Sequence, residues 1–342
     1  MTRHLAWITL AALLLLGLHT LPAQAQEKVL NLYSARHYQT DEALYENFTK
    51  ATGIRINRLD GKEEELVERI RNEGPSSPAD VLITVDASRL EVADALGLFQ
   101  SVRSPLLEAR IPATLRTPNW YAFSTRARVI VYNKAAVPRD AVLTYAGLAA
   151  PALKGQVCMR SGSHPYNLSL GAALIAHEGA AQTETWARAL VANFARTPKG
   201  GDTDQIKAVA AGECGVTVSN TYYLARMMRS TKPDDQQAMR AVGMVWPNQG
   251  SWGTHINISG AGVLKHAPHR DSAVKFLEYL ASDTAQIYFA DGNNEWPVVN
   301  SVRLTNPALI EMGRFKPDAL PIGELAKSSV QAQKVFDRAG WK

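Results

Sequence analysis

The chain has 342 residues, with 37 Lys and Arg against 32 Asp and Glu and a formal charge of +5. These charges are interspersed, with no run of five of one sign, so neither a nucleic-acid-binding arm nor an acidic tail is indicated. The length exceeds what one hydrophobic core usually supports, which predicts two lobes.

The opening stretch, "MTRHLAWITLAALLLLGLHTLPAQAQ", has a basic start at Arg3, an apolar run from Leu10 to Leu18 and a small-x-small pattern at Ala23 to Ala25. It predicts a signal peptide over residues 1–25 and an exported chain. No cysteine stands at the cleavage site, so a free periplasmic form in a double-membraned bacterium is expected. No later stretch approaches the roughly 18 apolar residues of a spanning helix, so no stable membrane insertion is expected.

Short β-rich runs then alternate with amphipathic segments. "KVLNLYS" reads as a strand and "TDEALYENFTKATG" as a helix, with Thr40 or Asp41 as its cap and Gly53 as its stop. "IRINRL", "KEEELVERIRNEG", "DVLITV" and "SRLEVADALG" repeat the strand–helix order, and such repeats argue for a mostly parallel, doubly wound sheet. After prolines 105, 112 and 118, "NWYAFSTRARVIVYNK" gives two strand-like runs back to back. The order resumes through "GQVCMRS", three helical segments, "CGVTVS" and the helix "TYYLARMMRS". A turn-rich, then strand-like run from Trp246 suits a chain crossing back to the first lobe, and the C-terminal stretches read as helical.

The expected fold is therefore α/β, two lobes each built on a mostly parallel sheet flanked by helices. Two crossing strands, near residues 122–132 and 255–264, would join them. The expected division is 26–124 with 257–300 for the first lobe and 125–256 with 301–342 for the second. Cys158 and Cys214 are the only cysteines. An even pair in an oxidising compartment is expected to be bridged, with two separate buried thiols as the alternative.

Three loops fall at strand ends that lead into helices, where open α/β sheets form their ligand crevice. "NLYSARHYQTDE" places His37 and Tyr38 there, "VCMRSGSHPYNLSL" places Tyr166, and "NTYYL" places Tyr222 and Tyr223. A phenol is neutral at pH 7, but a trivalent cation drives coordinated phenols to deprotonate, and hard anionic oxygens suit a hard ion. Helix starts favour phenolate further. The five residues thus predict an Fe(III) site. Four phenolates around a +3 ion leave one negative charge. Arg226, one turn beyond the tandem tyrosines, is the first candidate to balance it or hold an anion, with Arg36 and Arg126 or Arg128 behind it.

The runs "LNLYSARHY", "PADVLITVDASRLEVADALGLFQSV", "RARVIVYNK", "GECGVTVSNTYYLARM" and "PNQGSWGTHINISGAGV" resemble the periplasmic ferric-ion-binding proteins of bacterial ABC iron importers. The resemblance covers nearly the whole exported chain and implies the class II periplasmic-binding-protein fold. It transfers metal ligation to His37, Tyr38, Tyr166, Tyr222 and Tyr223, and a supporting role to Arg226. It also implies a chain that closes on Fe(III), with Fe(II) or a synergistic carbonate as variations; a monomer is the default expectation. Delivery would be to an inner-membrane ABC permease, without enzymatic turnover. A receptor for a small anion such as a phosphonate or an organic acid is the alternative, and a periplasmic hydrolase the third reading. No G-x-S-x-G, P-loop or H-E-x-x-H run supports an enzyme. His266 and His269 are read as residues of a solvated turn, and His164 as a loop residue.

Overall fold

The computed structural model describes residues 28–36 and 38–342; the leader expected over residues 1–25 and His37 lie outside the described residues. In chain order the elements begin with β1 (Val29–Ser34), α1 (Asp41–Thr52), β2 (Arg55–Asp60), α2 (Glu63–Glu73), β3 (Val81–Thr84), α3 (Ala87–Ala95) and α4 (Pro105–Arg110). They continue with β4 (Tyr121–Asn133), β5 (Val157–Cys158), α5 (Pro165–Glu178), α6 (Ala180–Ala192), α7 (Asp202–Ala210), β6 (Val216–Asn220) and α8 (Thr221–Met228). The last are α9 (Pro233–Ala241), β7 (Val242–Val245), β8 (Ile256–Val263), α10 (Arg270–Leu280), α11 (Asp283–Asn293), β9 (Trp296–Pro297), α12 (Pro307–Met312) and α13 (Glu324–Ala339).

The strands form one curled mixed sheet in the order β2-β1-β3-β8-β4-β6-β5, with β7 and β9 also paired to β4. β1 runs parallel to β2 and β3, and β5 parallel to β6, as βα repeats demand. β8 and β4 are the crossing strands. They pair antiparallel from Tyr121–Ala261 to Ala127–Ile256 and add an antiparallel member to each parallel set. The two strand-like runs expected around residue 125 are one continuous strand of 13 residues, which shifts register between Ala122 and Ser124. This is the two-lobed class II periplasmic-binding-protein architecture.

Packing follows the strand period of two. On β4, Val129 and Val131 join a core with Leu224, Ala225 and Met312, whereas Ile130, between them, joins another with Leu170, Leu190 and Phe336. A third core, around Phe48, Leu82, Phe123 and Phe276, fills the first lobe. Cys158 and Cys214 form a disulfide across 56 residues, tying β5 to the loop before β6.

Local expectations fail at one cap and at several short elements. Neither Thr40 nor Asp41 caps α1 with its side chain. Thr40 instead hydrogen-bonds Asn293, and Asp41 is buried against Arg36. Gly53 does end α1 in the left-handed region, at φ 70°. α4, α9, β7, β9 and α12 are additional short elements; α9 carries Pro233 at its start and Asp234 and Asp235 in its first turn, a helix-start signature.

Candidate metal centre

β6 ends at Asn220 and α8 starts at Thr221, so Tyr222 and Tyr223 occupy the first turn of the helix. The Asn220 side chain does not cap that turn, and its Oδ1 faces Arg128 Nη1 at 3.3 Å. α5 starts at Pro165, where a missing N–H costs nothing, and Tyr166 follows it. Tyr38 comes from the other lobe, four residues past the end of β1.

These four phenols converge. The Tyr166 and Tyr222 hydroxyls are 2.8 Å apart in a hydrogen bond. The Tyr222 and Tyr223 rings lie 4.3 Å apart, and the Tyr38 ring meets Tyr222 edge-on at 6.3 Å. Tyr222 is buried and the others are partly buried. Beside Tyr38 a cleft of about 810 Å³ opens between Arg36, Glu42, Arg58 and Glu63 of the first lobe and Pro165 of the second.

Burial keeps Tyr38, Tyr166 and Tyr222 protonated in the absence of a cation. Burial pushes Tyr166 up to about 12, with the Tyr223 phenol adding and Arg126 opposing. Burial, then Tyr38, Tyr166 and Tyr223, holds Tyr222 well above the ordinary phenol value. Tyr38 is raised by burial and by the Glu295 carboxylate, against Arg36 and Arg126.

Four arginines surround the phenols, three of them with carboxylates. Arg36 donates to Asp41 at 2.6 Å, contacts Glu295 at 3.4 Å and lies over the Tyr38 ring at 4.8 Å. Arg128 and Arg160 share Asp202 at 2.8 and 3.1 Å and flank the Tyr166 ring at 5.8 and 5.2 Å. Arg126 differs. It is buried, its Nη1 reaches only Ser259 Oγ at 3.4 Å, and its Nη2 has no hydrogen-bond partner. Desolvation lowers its pKa, but its surroundings of Tyr38, Glu295, Tyr222 and Tyr166 raise it by more. Arg226 is exposed and lies 5.7 Å from the Tyr223 ring centre.

Sequence reasoning passed over Arg160, Asp202 and Glu295. Their partners lie 42, 74 and 259 positions away along the chain, so no local pattern marks them. His164 is the N-cap of α5, and its Nε2 accepts from Arg160 at 2.7 Å because a guanidinium can only donate. Burial and the neighbouring Arg160 and Arg128 hold this imidazole down at about 4, so it is neutral. His269 pairs with Asp80 at 3.1 Å. Among the described residues no cluster of three His, Cys, Asp or Glu could hold a metal, and the oxygen donors that do converge are phenols.

A family model described as bacterial extracellular solute-binding protein matches residues 43–313. Iron uptake protein A1 of Synechocystis is 47% identical over 94% of this chain and 89% of its own length. The Fe(3+)-binding periplasmic protein of Serratia marcescens is 26% identical over 97% of this chain and 96% of its own. The structure of the Trichodesmium protein IdiA (FutA) in complex with iron and citrate is similar at a TM-score of 0.87. It is 50% identical and covers 92% of this chain and all of that one. A ferric binding protein from Campylobacter jejuni is similar at a TM-score of 0.85 and 40% identity, covering 92% of this chain and all of its own.

Proposed function

Because this chain belongs to the bacterial extracellular solute-binding protein family, we propose that it is the periplasmic receptor of an ABC iron importer, taking Fe(III) between its lobes through tyrosinates. The observation that carries this reading is the four-phenol cluster around Arg126, a buried guanidinium with no carboxylate in ion-pair contact. A protonated phenol can donate a hydrogen bond to an anion, but a trivalent ion displaces the proton and takes the phenolate as a hard oxygen ligand. Four phenolates and Fe(III) sum to one negative charge, which Arg126 neutralises in place, since Arg36, Arg128 and Arg160 already face carboxylates. The sequence favoured Arg226 for this role. Its exposure suits it instead to modulating Tyr223 from outside.

Tyr166, Tyr222 and Tyr223 belong to one lobe and hold the ion first. Closure brings Tyr38, with His37 as its neighbour in sequence. The closed, loaded form is the one an inner-membrane permease selects, because it differs in shape from the open one. Opening, protonation or reduction to Fe(II) each weakens phenolate ligation and releases the ion. The expected location is the periplasm, with the leader removed. No helix among the described residues is long and apolar enough to cross a membrane.

The test is a visible-absorption titration of the processed protein with ferric citrate, followed by dithionite. A charge-transfer band saturating at one iron per chain and bleached on reduction supports tyrosinate ligation. A band that strengthens with added bicarbonate supports a carbonate in the iron shell. A folded protein with no band at any iron ratio overturns the reading and favours the small-anion receptor, with Arg126 meeting the anion.

A further inference from the structure

Beside α8, a second cavity of about 620 Å³ opens that neither Tyr222 nor Tyr223 lines. Leu224 and Met228 of α8, Met239 of α9, Met244 of β7, Trp246 and Met312 line it. Four of the chain's seven methionines thus line one pocket. Thioethers on unbranched side chains adapt to irregular apolar shapes, which makes them frequent at ligand surfaces. Trp246 presents an apolar ring there, since its Nε1 already donates to the Met312 carbonyl at 2.9 Å and its far face stacks on Phe315 at 4.0 Å.

The rim has a definite sign. Lys134, Arg139 and Arg314 border the cavity against a single acid, Glu311. The Lys134 ammonium donates to the Arg240 carbonyl at 3.2 Å, and Arg139 has only a 4.0 Å contact with the exposed Asp140. Arg314 has no hydrogen bond or ion pair among the described residues. The volume lies within the range of small-molecule sites, which join apolar walls to a few placed polar groups. A cation would meet three like charges here, and a compact polyanion such as phosphate would leave the thioether wall uncovered.

We propose that this pocket binds an amphipathic monoanion, a carboxylate or sulfonate bearing a ring or a short alkyl body, with its apolar part on the methionines and Trp246 and its head on Arg314. The site is separate from the phenol cluster, so the proposal stands or falls independently of iron binding. The probe is anilinonaphthalene sulfonate, titrated into the full processed protein and displaced with decanoate. The expected result is saturable, enhanced fluorescence at one probe per chain, displaced by decanoate and weakened about tenfold by Arg314→Glu and by Met239→Glu. Thermal melting and circular dichroism establish that both variants are folded. Absence of saturable binding, or binding unchanged in both folded variants, overturns the proposal. Displacement by decanol as effective as by decanoate overturns its anionic head.

Discussion

The two lobes meet at the phenol cluster with different equipment. The second lobe contributes three tyrosines from two helix starts, already joined by the Tyr166–Tyr222 hydrogen bond and backed by Asp202 with its two arginines. It also carries the disulfide. The first lobe contributes Tyr38 from a loop, fixed by Arg36 between Asp41 and Glu295. Under the proposed function the difference is a division of labour. A donor set that must bind before closure has to be rigid by itself, whereas a donor that arrives with closure needs only a stiff loop.

The comparison breaks most completely if the second lobe loses its phenols. Tyr222→Phe with Tyr223→Phe is expected to abolish the ferric charge-transfer band with an unchanged melting curve; a retained band would move ligation elsewhere. Next comes the disulfide. In the chain-entropy model closing its loop contributes about 4 kcal/mol, so replacing Cys158 and Cys214 with Ser lowers stability in urea by up to that amount. An undiminished midpoint would show that the second lobe draws no rigidity from the bridge.

Asp202→Asn is close in size. It leaves two guanidinium groups without their carboxylate and is expected to cost about 3 kcal/mol, read as a lowered urea midpoint. If ferric affinity falls while stability does not, Asp202 acts on the phenols and not on the lobe. Tyr38→Phe should weaken ferric binding about 10- to 100-fold, or about 1.4 to 2.7 kcal/mol, while the band persists with altered intensity. Affinity lost entirely would place Tyr38 on a par with the tandem tyrosines and erase the contrast between lobes. The smallest effect is expected from Arg226→Ala. An exposed cation near a ring contributes about 0.5 to 1 kcal/mol, so affinity should shift a few-fold at most. A larger loss would return Arg226 to the charge-balancing place that the geometry suggests for Arg126.

Much of this was legible without coordinates because it is local. Hydrophobic period and helix-stop residues mark β1, α1, β2, α2, β3 and α3 in order, and the strand-to-helix junctions put Tyr38, Tyr166, Tyr222 and Tyr223 at one kind of place. The crossing strands were legible as extended apolar runs. Short elements such as α4, α12 and β9 were not, since six or two residues carry too little periodicity to read.

By itself, then, the sequence determined the βα order and which phenols stand at helix starts, since each depends on neighbours along the chain, whereas the Cys158–Cys214 bridge was an expectation that the fold met by bringing the two together across 56 residues. Only the tertiary structure decided which charges oppose one another. Arg36 finds Glu295 across 259 positions, and Arg128 finds Asp202 across 74. Arg126, two residues before Arg128 on the same strand, is left among phenols without a direct ion pair. Desolvation makes each such pairing count and folding alone brings the partners together, so the electrostatic state of the cluster is a property of the fold.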